Sequence, residues 1–371
     1  MRIGIDAHEI ENKPTGVGRY LFNLLEQWDN FDLPADLKFI LYFRKQIPDL
    51  DLSGHFEKKL LHSNSTAWFI HYLLPREAAK DQIDLLFCPG YIAPLFYNKP
   101  IALTLHDIIY QARPELYNWP SVWDRILLKT VSRLAAKKAK IILTCSKFSR
   151  QEILKHYPVQ PEKVFAIPLA ADKSFYPVPD AGKIKEKYQI KDKFIFYLGS
   201  IFKRRHLPSA MLAFEQAVLK TGDCQFLIVG SDYTGGDIDG LANQINQRLG
   251  YLAVIRKDYL TGKDLTALYS AAELTVYLSD YEGFGLPVLE SMACGTSVVT
   301  SRKASLSEVA GEAAIYVEDN SNIDEITAAI VRGLTNENLR QELIKKGLAQ
   351  AKKFSWEKAA RQTLDALLSS G

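Results

Sequence analysis

Two glutamates, Glu282 and Glu290, stand eight positions apart in the stretch SDYEGFGLPVLESMACG. Gly283 and Gly285, between them, permit backbone shapes that other residues resist. The proline that follows suits the first turn of a helix and the last glycine suits its end, so the pattern predicts a short helix over 287–294. One carboxylate therefore lies on a glycine-rich loop, and the other lies about one turn inside the helix.

The amino terminus of this helix is an expected anion site. It presents the backbone amides of Phe284, Gly285 and Leu286 with the positive end of the helix dipole, and phosphate is the usual anion there. Glu290 is placed to accept hydrogen bonds from two vicinal hydroxyls, as on a ribose. Alternatively, Glu290 only complements the dipole and Glu282 is a solvated loop acid. The glycine-rich context favours a functional pair.

A basic cluster follows the first predicted strand of the second half, in YLGSIFKRRHLPSAMLAF. Arg204 and Arg205 lie a few residues after Gly199, which ends the strand. Alone, such a cluster is typical of a solvated surface turn. Beside the glutamate motif, both arginines are candidates for contact with an anion.

The first half contains a glycine-rich loop in NKPTGVGRYLFNLL, before a predicted helix. The amides of Gly16 and Gly18 are candidates for contact with phosphate or another ligand. The loop is not a dinucleotide-binding fingerprint, because its third glycine is missing. Arg19 either points into a cleft or caps local structure, and the sequence does not decide between the two.

Polar residues also end two predicted strands of the first half, in LTLHDIIY and LTCSKFSR. His106 and Asp107 end the first of them, where a histidine can hydrogen-bond a ligand or serve a structural role. Ser146 ends the second strand. It either contacts a ligand or caps the next helix, and we favour the cap.

These residues require strands that end at a common edge, and the pattern of the chain predicts such strands. Apolar runs such as RIGIDA, FIFYLGS and LTVYLS alternate with helical patterns, which indicates parallel sheets covered on both faces. Pro168, Pro177 and Pro179 interrupt the alternation, and we interpret 168–182 as an interdomain linker. We predict an α/β fold of two Rossmann-like, doubly wound domains facing across a cleft that is lined by the strand ends.

Length and composition agree with that organisation. The 371 residues suffice for two domains, and 47% hydrophobic with 24% charged residues is typical of a soluble globular protein. The net charge of +3 indicates no particular partner. The four cysteines are expected to be reduced and mostly buried. The start MRIGIDAHEI is not typical of a signal peptide, and no apolar run spans a bilayer, so we expect a cytoplasmic protein.

The motif EGFGLPVLE resembles the E-x7-E signature of the retaining glycosyltransferases of family 4, which have the GT-B fold, and further segments match along almost the whole chain. The resemblance implies that Glu282 lies near the donor sugar and that Glu290 binds the ribose. The arginine pair resembles the family's G-x-x-x-x-R-K-N-L pattern, in which the arginine and the lysine neutralise the diphosphate, with Arg205 in place of the usual lysine. The resemblance implies that Arg204 and Arg205 lie at a diphosphate, which gains negative charge as it leaves. The cations then come from the protein, and we expect no metal and no other cofactor. Arginine keeps the charge but spreads it over a planar fork.

The resemblance implies a set of roles for numbered residues. The implied catalytic residues are Glu282, His106 and Arg204. The implied donor-binding residues are Gly16, Gly199, Arg204, Arg205, Tyr259, Glu282, Gly283, Phe284, Gly285, Leu286 and Glu290. The implied acceptor-side residues are Gly18, Arg19, Asp107 and Ser146.

Two more segments extend the resemblance. TGVGRY resembles a loop of members that transfer mannose, which makes GDP-mannose the first expected donor and UDP-sugars the next. VIRKDYLTGKDLTALYSAA resembles the family's nucleobase-binding turn, and by analogy residues 256–259 line the pocket for the base. Asp258 replaces the glycine of that turn, so the sequence does not indicate which base is bound. In GT-B enzymes the last helix returns to the first domain. That implies an acceptor-side domain of 1–172 with 355–371 and a donor-binding domain of 173–354.

The sequence thus predicts a retaining, metal-independent hexosyltransferase. It is expected to move mannose, as the first choice, from a nucleotide diphosphate sugar to a glycan or lipid-linked acceptor in cell-surface polysaccharide or glycolipid synthesis. Two alternatives stay open: a nucleotide-sugar epimerase of related fold and a non-catalytic nucleotide-sugar-binding protein. No nucleic-acid partner is expected.

One predicted helix, over 125–140, is strongly basic. It carries Arg125, Lys129, Arg133, Lys137, Lys138 and Lys140. Trp119 and Trp123 precede it. Such a helix either rests peripherally on an anionic membrane or is an ordinary solvated face, and both interpretations stay open.

Overall fold

The computed structural model describes residues 1–11, 16–191, 193–260 and 262–371, and leaves the side chain of Lys263 undescribed. Residues 12–15, which begin the predicted loop NKPTGVGRY, therefore lie outside the described part. Contacts between Cα atoms divide the chain into two compact units. Unit 1 comprises Met1–Leu169 with Ser355–Gly371, and unit 2 comprises Ala170–Phe354.

Unit 1 is built on a seven-stranded, all-parallel sheet with the order β3-β2-β1-β4-β5-β6-β7. Its strands are β1 Arg2–Asp6, β2 Lys38–Phe43, β3 Phe56–Leu60, β4 Leu85–Cys88, β5 Ile101–Thr104, β6 Ile141–Thr144 and β7 Val164–Ala166. Its helices are α1 Val17–Asp29, α2 Thr66–Trp68, α3 Leu74–Lys80, α4 Ile109–Ala112, α5 Val122–Lys138, α6 Lys147–His156 and α15 Trp356–Leu368. The interior strands are buried along their length, as continuous apolar runs predict.

Unit 2 is built on a six-stranded parallel sheet with the order β10-β9-β8-β11-β12-β13. Its strands are β8 Phe194–Leu198, β9 Gln225–Val229, β10 Val254–Lys257, β11 Leu274–Tyr277, β12 Val298–Ser301 and β13 Ile315–Val317. Its helices are α7 Lys183–Lys187, α8 Leu207–Thr221, α9 Ile238–Leu249, α10 Gly262–Ala271, α11 Leu286–Ala293, α12 Leu306–Ala310, α13 Ile323–Thr335 and α14 Glu337–Ala351. The predicted pair of doubly wound sheets is confirmed.

The last helix, α15, packs on α1 within unit 1. Trp28 of α1 is fully buried, stacks on Phe39 with ring centroids 5.3 Å apart, and donates its Nε1 proton to the carbonyl oxygen of Ala360 over 2.9 Å. Trp356 lies 6.4 Å from the ring of Tyr20. These contacts explain why the end of the chain belongs to the same unit as its beginning.

The proline-rich segment predicted as a linker is largely part of unit 2. Ser174 accepts a hydrogen bond from Thr266 Oγ1 of α10 over 3.0 Å, and the amide of Val178 donates to Ser270 Oγ over 3.1 Å. Phe175 joins the apolar core of unit 2. Its backbone therefore runs along α10 instead of bridging freely between domains.

Two further expectations concern the chain as a whole. All four cysteines are buried and outside disulfides, as predicted. No helix among the described residues combines the length and the apolar character that a membrane crossing would require.

Candidate functional site

The carboxyl ends of β8 and β11 bring two loops of unit 2 together. These strands are neighbours at the point where the strand order reverses. Doubly wound sheets bind ligands at such a switch point, outside the carboxyl ends of the strands. The loop after β8 carries the arginine pair, and the loop after β11 carries Glu282.

The loop after β11 enters α11, which begins at Leu286, one residue earlier than predicted. Gly285 precedes the helix with φ of +105°, a left-handed conformation that favours glycine. A Cβ atom there would also lie 2.6 Å from Cδ2 of Leu306. Gly283, for which we expected the same freedom, is not among the described glycines with positive φ. The backbone requirement therefore falls on Gly285.

The amino terminus of α11 leaves three backbone amides available. Within the described residues, the N–H groups of Phe284, Gly285 and Leu286 donate to no acceptor. Ser305 braces the loop, because its Oγ lies 2.8 Å and 2.9 Å from the carbonyl oxygens of Glu282 and Phe284. The amides and the helix dipole together have the arrangement of an anion site.

Glu282 is held by a bidentate ion pair with Arg205. Nε of Arg205 donates to Oε1 over 2.8 Å and Nη2 donates to Oε2 over 3.3 Å, while Ser279 Oγ lies 3.1 Å from Oε1. Burial opposes the charge of Glu282, but Arg205 and Arg204 outweigh it and hold the pKa of the carboxyl below its usual value. Glu282 is therefore an oriented carboxylate.

Arg204 differs from Arg205 in what its guanidinium contacts. Its Nε donates to the carbonyl oxygen of Tyr281 over 3.2 Å, and its guanidinium carbon lies 4.3 Å from the ring centroid of Phe202. Its two terminal nitrogens donate to no acceptor in the described part of the chain. Arg204 thus keeps two donors for an anion.

The residues that brace this loop were missed by the sequence analysis, and Asp280 is their centre. Its carboxylate accepts from His206 Nε2 over 2.5 Å, from Lys303 Nζ over 2.8 Å and from Asn320 Nδ2 over 3.0 Å. Burial opposes the charge, but these partners keep the pKa of Asp280 below its usual value. Asp280 itself stands in the quoted stretch, but its partners come from other loops that no local spacing connects.

Glu290 lies in α11 and is 2% exposed. The hydroxyl of Tyr269 donates to its Oε2 over 3.4 Å. The predicted ribose contact stays a prediction, because this geometry does not test it. Glu282 and Glu290 do share one loop–helix unit, as the spacing predicted.

Gly199 ends β8 with φ of +140°, which favours glycine. A Cβ atom on Gly230, at the end of β9, would lie 2.0 Å from the carbonyl oxygen of Gly199. The two strand ends therefore approach closely beside the site, and both positions require glycine.

The turn expected at the nucleobase follows β10. Arg256 pairs with Asp239 at 3.0 Å and with Asp258 at 3.3 Å, and Tyr259 is 68% exposed. Asp237 and Asp239 form a D-x-D triplet, a spacing of carboxylates that can hold a metal ion. Asp237, however, caps α9 by accepting a hydrogen bond from a backbone amide in the first turn of that helix. Among the described residues, no group of three or more His, Cys, Asp or Glu side chains is arranged to hold a metal ion.

In unit 1, His106 follows β5 and packs edge-on against Tyr20, with ring centroids 4.8 Å apart. Its Nε2 lies 3.2 Å from the carbonyl oxygen of Pro89. A carbonyl only accepts, so Nε2 carries the proton and Nδ1 is an acceptor. Burial lowers the pKa of His106 to about 4. At neutral pH the ring is uncharged and can accept a hydrogen bond from a hydroxyl group.

Ser146 and Asp107 stabilise turns at strand ends. The Oγ of Ser146 accepts from the amide of Ser149 over 3.0 Å and caps α6, so the cap interpretation is confirmed. Asp107 Oδ1 accepts from the amide of Ile109 over 3.0 Å, which fixes the turn after β5. Both residues therefore have a structural function that needs no ligand.

The glycine-rich loop of unit 1 is described from Gly16 onward. Gly16 precedes α1 with φ of +50°, and Gly18 is buried in the first turn of that helix. Arg19 is half-buried beside it, and its carbonyl oxygen accepts from Asn23 over 2.8 Å. The cleft-facing role and the capping role of Arg19 both stay predictions.

A second polar cluster, also missed, lies at the end of β1. His8 Nδ1 is 2.5 Å from Asp6 Oδ1, and His8 Nε2 is 3.3 Å from Glu9 Oε1. Burial opposes the charge of His8, but Asp6 and Glu9 raise its pKa to about 10. The signal was visible as DAHE in the first strand and the turn after it. The cluster lies at the switch point between β1 and β4 of this sheet.

The predicted basic helix is α5, which starts earlier, at Val122, and is capped by Ser121. It exposes large apolar side chains, namely Val122, Trp123, Ile126, Leu127 and Leu134. Its basic residues other than Lys129 are exposed beside them. Trp119 is only half exposed and donates to the carbonyl oxygen of Pro114 over 2.9 Å, so it anchors the loop before the helix.

Comparisons with known proteins follow the same division of the chain. Residues 14–175 match the family described as Glycosyltransferase Family 4, and residues 180–350 match the family described as Glycosyl transferases group 1. The O-antigen chain mannosyltransferase B of Escherichia coli is 30% identical, over 99% of this chain and 99% of that protein.

Two other matches are more distant. The N-acetylgalactosamine-N,N'-diacetylbacillosaminyl-diphospho-undecaprenol 4-alpha-N-acetylgalactosaminyltransferase of Campylobacter jejuni is 28% identical, over 76% of this chain and 74% of that protein. The solved structure of sucrose-phosphate synthase from Thermosynechococcus elongatus superposes with a TM-score of 0.74 at 21% identity, covering 99% of this chain and 98% of that one. The structural likeness supports the fold alone.

Proposed function

The chain belongs to glycosyltransferase family 4 and has the GT-B fold, and from this premise we propose that it transfers a mannosyl residue from a nucleotide diphosphate sugar to a hydroxyl group, with retention of configuration. The observation that carries the proposal is the loop–helix unit at the switch point of unit 2. It combines an oriented carboxylate, three available amides and a second carboxylate in one segment. GDP-mannose is the first candidate donor, since a mannosyltransferase matches this chain over 99% of its length.

The proposed donor position follows from the groups available. The diphosphate lies at the amides of α11 and at the free terminal nitrogens of Arg204, because both supply donors to an anion. The ribose hydroxyls contact Glu290, and the sugar lies beside Glu282. Tyr259 and its neighbours after β10 are assigned to the base.

In the proposed reaction the bond between the anomeric carbon and the diphosphate oxygen breaks. The acceptor hydroxyl forms a new bond from the same face of the sugar, and its proton passes to the departing diphosphate. Arg204 stabilises the growing charge of the leaving group, so the protein supplies the cation and no metal is required. Glu282 orients the sugar and stabilises its developing positive charge. His106, with Nδ1 unprotonated, accepts a hydrogen bond from a sugar hydroxyl.

A thermal-shift panel of nucleotide sugars, followed by a donor-hydrolysis assay, tests this function. GDP-mannose is expected to raise the melting temperature most and to release mannose slowly, with the same anomer first, in the presence or absence of EDTA. Glu282→Ala and Arg204→Ala are expected to abolish this release, whereas Glu318→Ala, an exposed acid of the same unit, retains it. Variants that turn over at the wild-type rate refute the proposal. Release of an epimer indicates an epimerase, and binding without turnover indicates a binding protein.

The proposed acceptor is a glycan or a lipid-linked glycan used in polysaccharide or glycolipid synthesis at the cytoplasmic face of a membrane. The Campylobacter relative is named for a diphospho-undecaprenol acceptor, and the Escherichia relative for an O-antigen chain. The surface of α5 supports peripheral membrane contact, because exposed Trp123, Ile126 and Leu127 lie on the same helix as exposed Arg133 and Lys137.

Co-sedimentation with liposomes tests the membrane contact. The wild type is expected to bind vesicles containing anionic phosphatidylglycerol and not neutral phosphatidylcholine vesicles. Arg133→Glu/Lys137→Glu is expected to lose binding, and so is Trp123→Ser. Lys345→Glu/Lys352→Glu makes the same charge change on exposed residues of unit 2 and is expected to retain it. Equal binding of all four proteins would exclude α5 as the contact.

A further inference from the structure

Arg205 stands where the family resemblance implies a diphosphate-binding lysine, but its guanidinium is occupied. Nε and Nη2 hold the two carboxylate oxygens of Glu282, and Nη1 donates to the carbonyl oxygen of Ser200 over 2.6 Å. Every nitrogen of the guanidinium therefore has a protein acceptor. By contrast, the terminal nitrogens of the adjacent Arg204 have none within the described residues.

The surroundings of Arg205 are shaped to keep it in this position. Its side chain is 12% exposed, and its guanidinium carbon lies 5.1 Å from the ring centroid of Tyr277. A Cβ atom on Gly199 would lie 2.8 Å from Nη1. Gly199 thus leaves the space into which the guanidinium fits, and Tyr277 forms a flat wall beside it.

Only arginine matches the geometry of this contact. A guanidinium presents parallel donors that hold both oxygens of a carboxylate at once, and an ammonium presents one charge that does not fix the carboxylate plane. The bidentate contact sets the direction in which Glu282 faces. The neighbouring charge also keeps a largely buried carboxylate ionised, which burial alone would oppose.

We propose that Arg205 is a positioning residue that fixes the orientation and the ionised state of Glu282, and that the diphosphate is left to Arg204 and the amides of α11. The inference rests on the proposed function, since it assigns parts within that site. It separates two adjacent arginines that the sequence alone treats as one cationic pair.

Calorimetric titration with GDP alone separates the two arginines. Arg204→Met is expected to bind GDP at least about 10-fold more weakly, because it removes a charge-assisted contact to phosphate. Arg205→Met is expected to bind GDP within about threefold of the wild type, since its nitrogens serve Glu282. The same variant is expected to lower kcat for donor hydrolysis about 100-fold with little change in KM.

The pH profile of kcat provides a readout that a purely structural role would not move. In the wild type, kcat is expected to fall only at a pH below the ordinary pKa of a glutamate, because the pKa of Glu282 is lowered. In Arg205→Met, Glu282 stays buried but loses its main counter-charge, so its pKa should increase. The acidic limb of the kcat profile is therefore expected to move to higher pH by at least about one unit. Arg205→Lys keeps the charge without the fork and is expected to shift the limb less while still lowering kcat. If Arg205→Met does not fold, Arg205→Gln replaces it in every measurement.

Two results would overturn the inference. One is a loss of GDP affinity in the Arg205 variant as large as that in Arg204→Met. The other is an acidic limb that stays at its wild-type position. Failure of the proposed function is distinguishable, because the wild type itself would then neither bind GDP nor hydrolyse any nucleotide sugar.

Discussion

Breaking the ion pair between Arg205 and Glu282 from either side should destabilise unit 2. The two side chains are only 12% and 11% exposed, so a single substitution leaves the other charge buried without its partner. Such losses cost about 3–5 kcal/mol, and we expect this for both Glu282→Gln and Arg205→Met. For a unit of this size that corresponds to a fall of about 6–20 °C in melting temperature.

The pair Arg302–Glu318, in the same unit, is a matched control. Its Nε–Oε1 distance is also 2.8 Å, but its side chains are 50% and 65% exposed. Screening by water limits an exposed pair to about 0–1 kcal/mol, so Arg302→Met and Glu318→Gln should shift the melting temperature little. The pairs differ in burial and in the second hydrogen bond that Arg205 makes to Oε2 of Glu282, so the comparison measures the effect of these two features together.

Calorimetry and tryptophan fluorescence together assign the effect to a unit. All five tryptophans lie in unit 1, so a calorimetric transition without a fluorescence change belongs to unit 2. The double variant Glu282→Gln/Arg205→Met should lose less than the sum of the single losses, because it leaves no unpaired charge. Additive losses, or single losses no larger than those of the exposed pair, would refute the reasoning.

Three further predictions concern other parts of the chain. Gly285→Ala places a Cβ atom against Leu306 on a backbone whose positive φ disfavours alanine. The variant should lose about 1–3 kcal/mol of stability, measured by urea unfolding, and should bind GDP more weakly in calorimetry. Trp28→Ala leaves a cavity in unit 1 and should cost about 3–5 kcal/mol, seen in chemical denaturation. The pKa of His8 is raised to about 10 by Asp6, so its stabilising contribution should be complete below pH 6.5 and lost as the pH rises towards 10. A stability difference between wild type and His8→Gln that is flat over that window would contradict this assignment.

The interior of both sheets was predictable from the sequence, and three strands at sheet edges were not. Central parallel strands are buried on both faces and are therefore continuous apolar runs. The unpredicted strands β3, β7 and β13 lie at the edges of their sheets. β3 is FEKKL, with one buried residue, and β7 and β13 have three residues each. Short, partly polar edge strands carry little periodic signal.

In the site, local features were predictable and non-local ones were not. The order of glycines and carboxylates in SDYEGFGLPVLESMACG predicted a loop, a helix start and two acids in one segment, because these features depend on neighbours along the chain. The bracing of Asp280 by Lys303 and Asn320 depends on how separate loops meet. The tautomer and neutrality of His106 likewise depend on Pro89 and on burial, which no spacing in LTLHDIIY encodes.

The contact between Arg205 and Glu282 shows why sheet topology matters for this site. The two residues are 77 positions apart, yet they meet because β8 and β11 pair in parallel, with Leu274 opposite Ile195. The ladder therefore sets the distance between the two loops. Ser279 contacts one oxygen of Glu282 from within its own loop, and Arg205, in the loop after the neighbouring strand, holds both oxygens. For this reason the arginine at position 205, where the family pattern has lysine, should orient Glu282 and leave the diphosphate to Arg204.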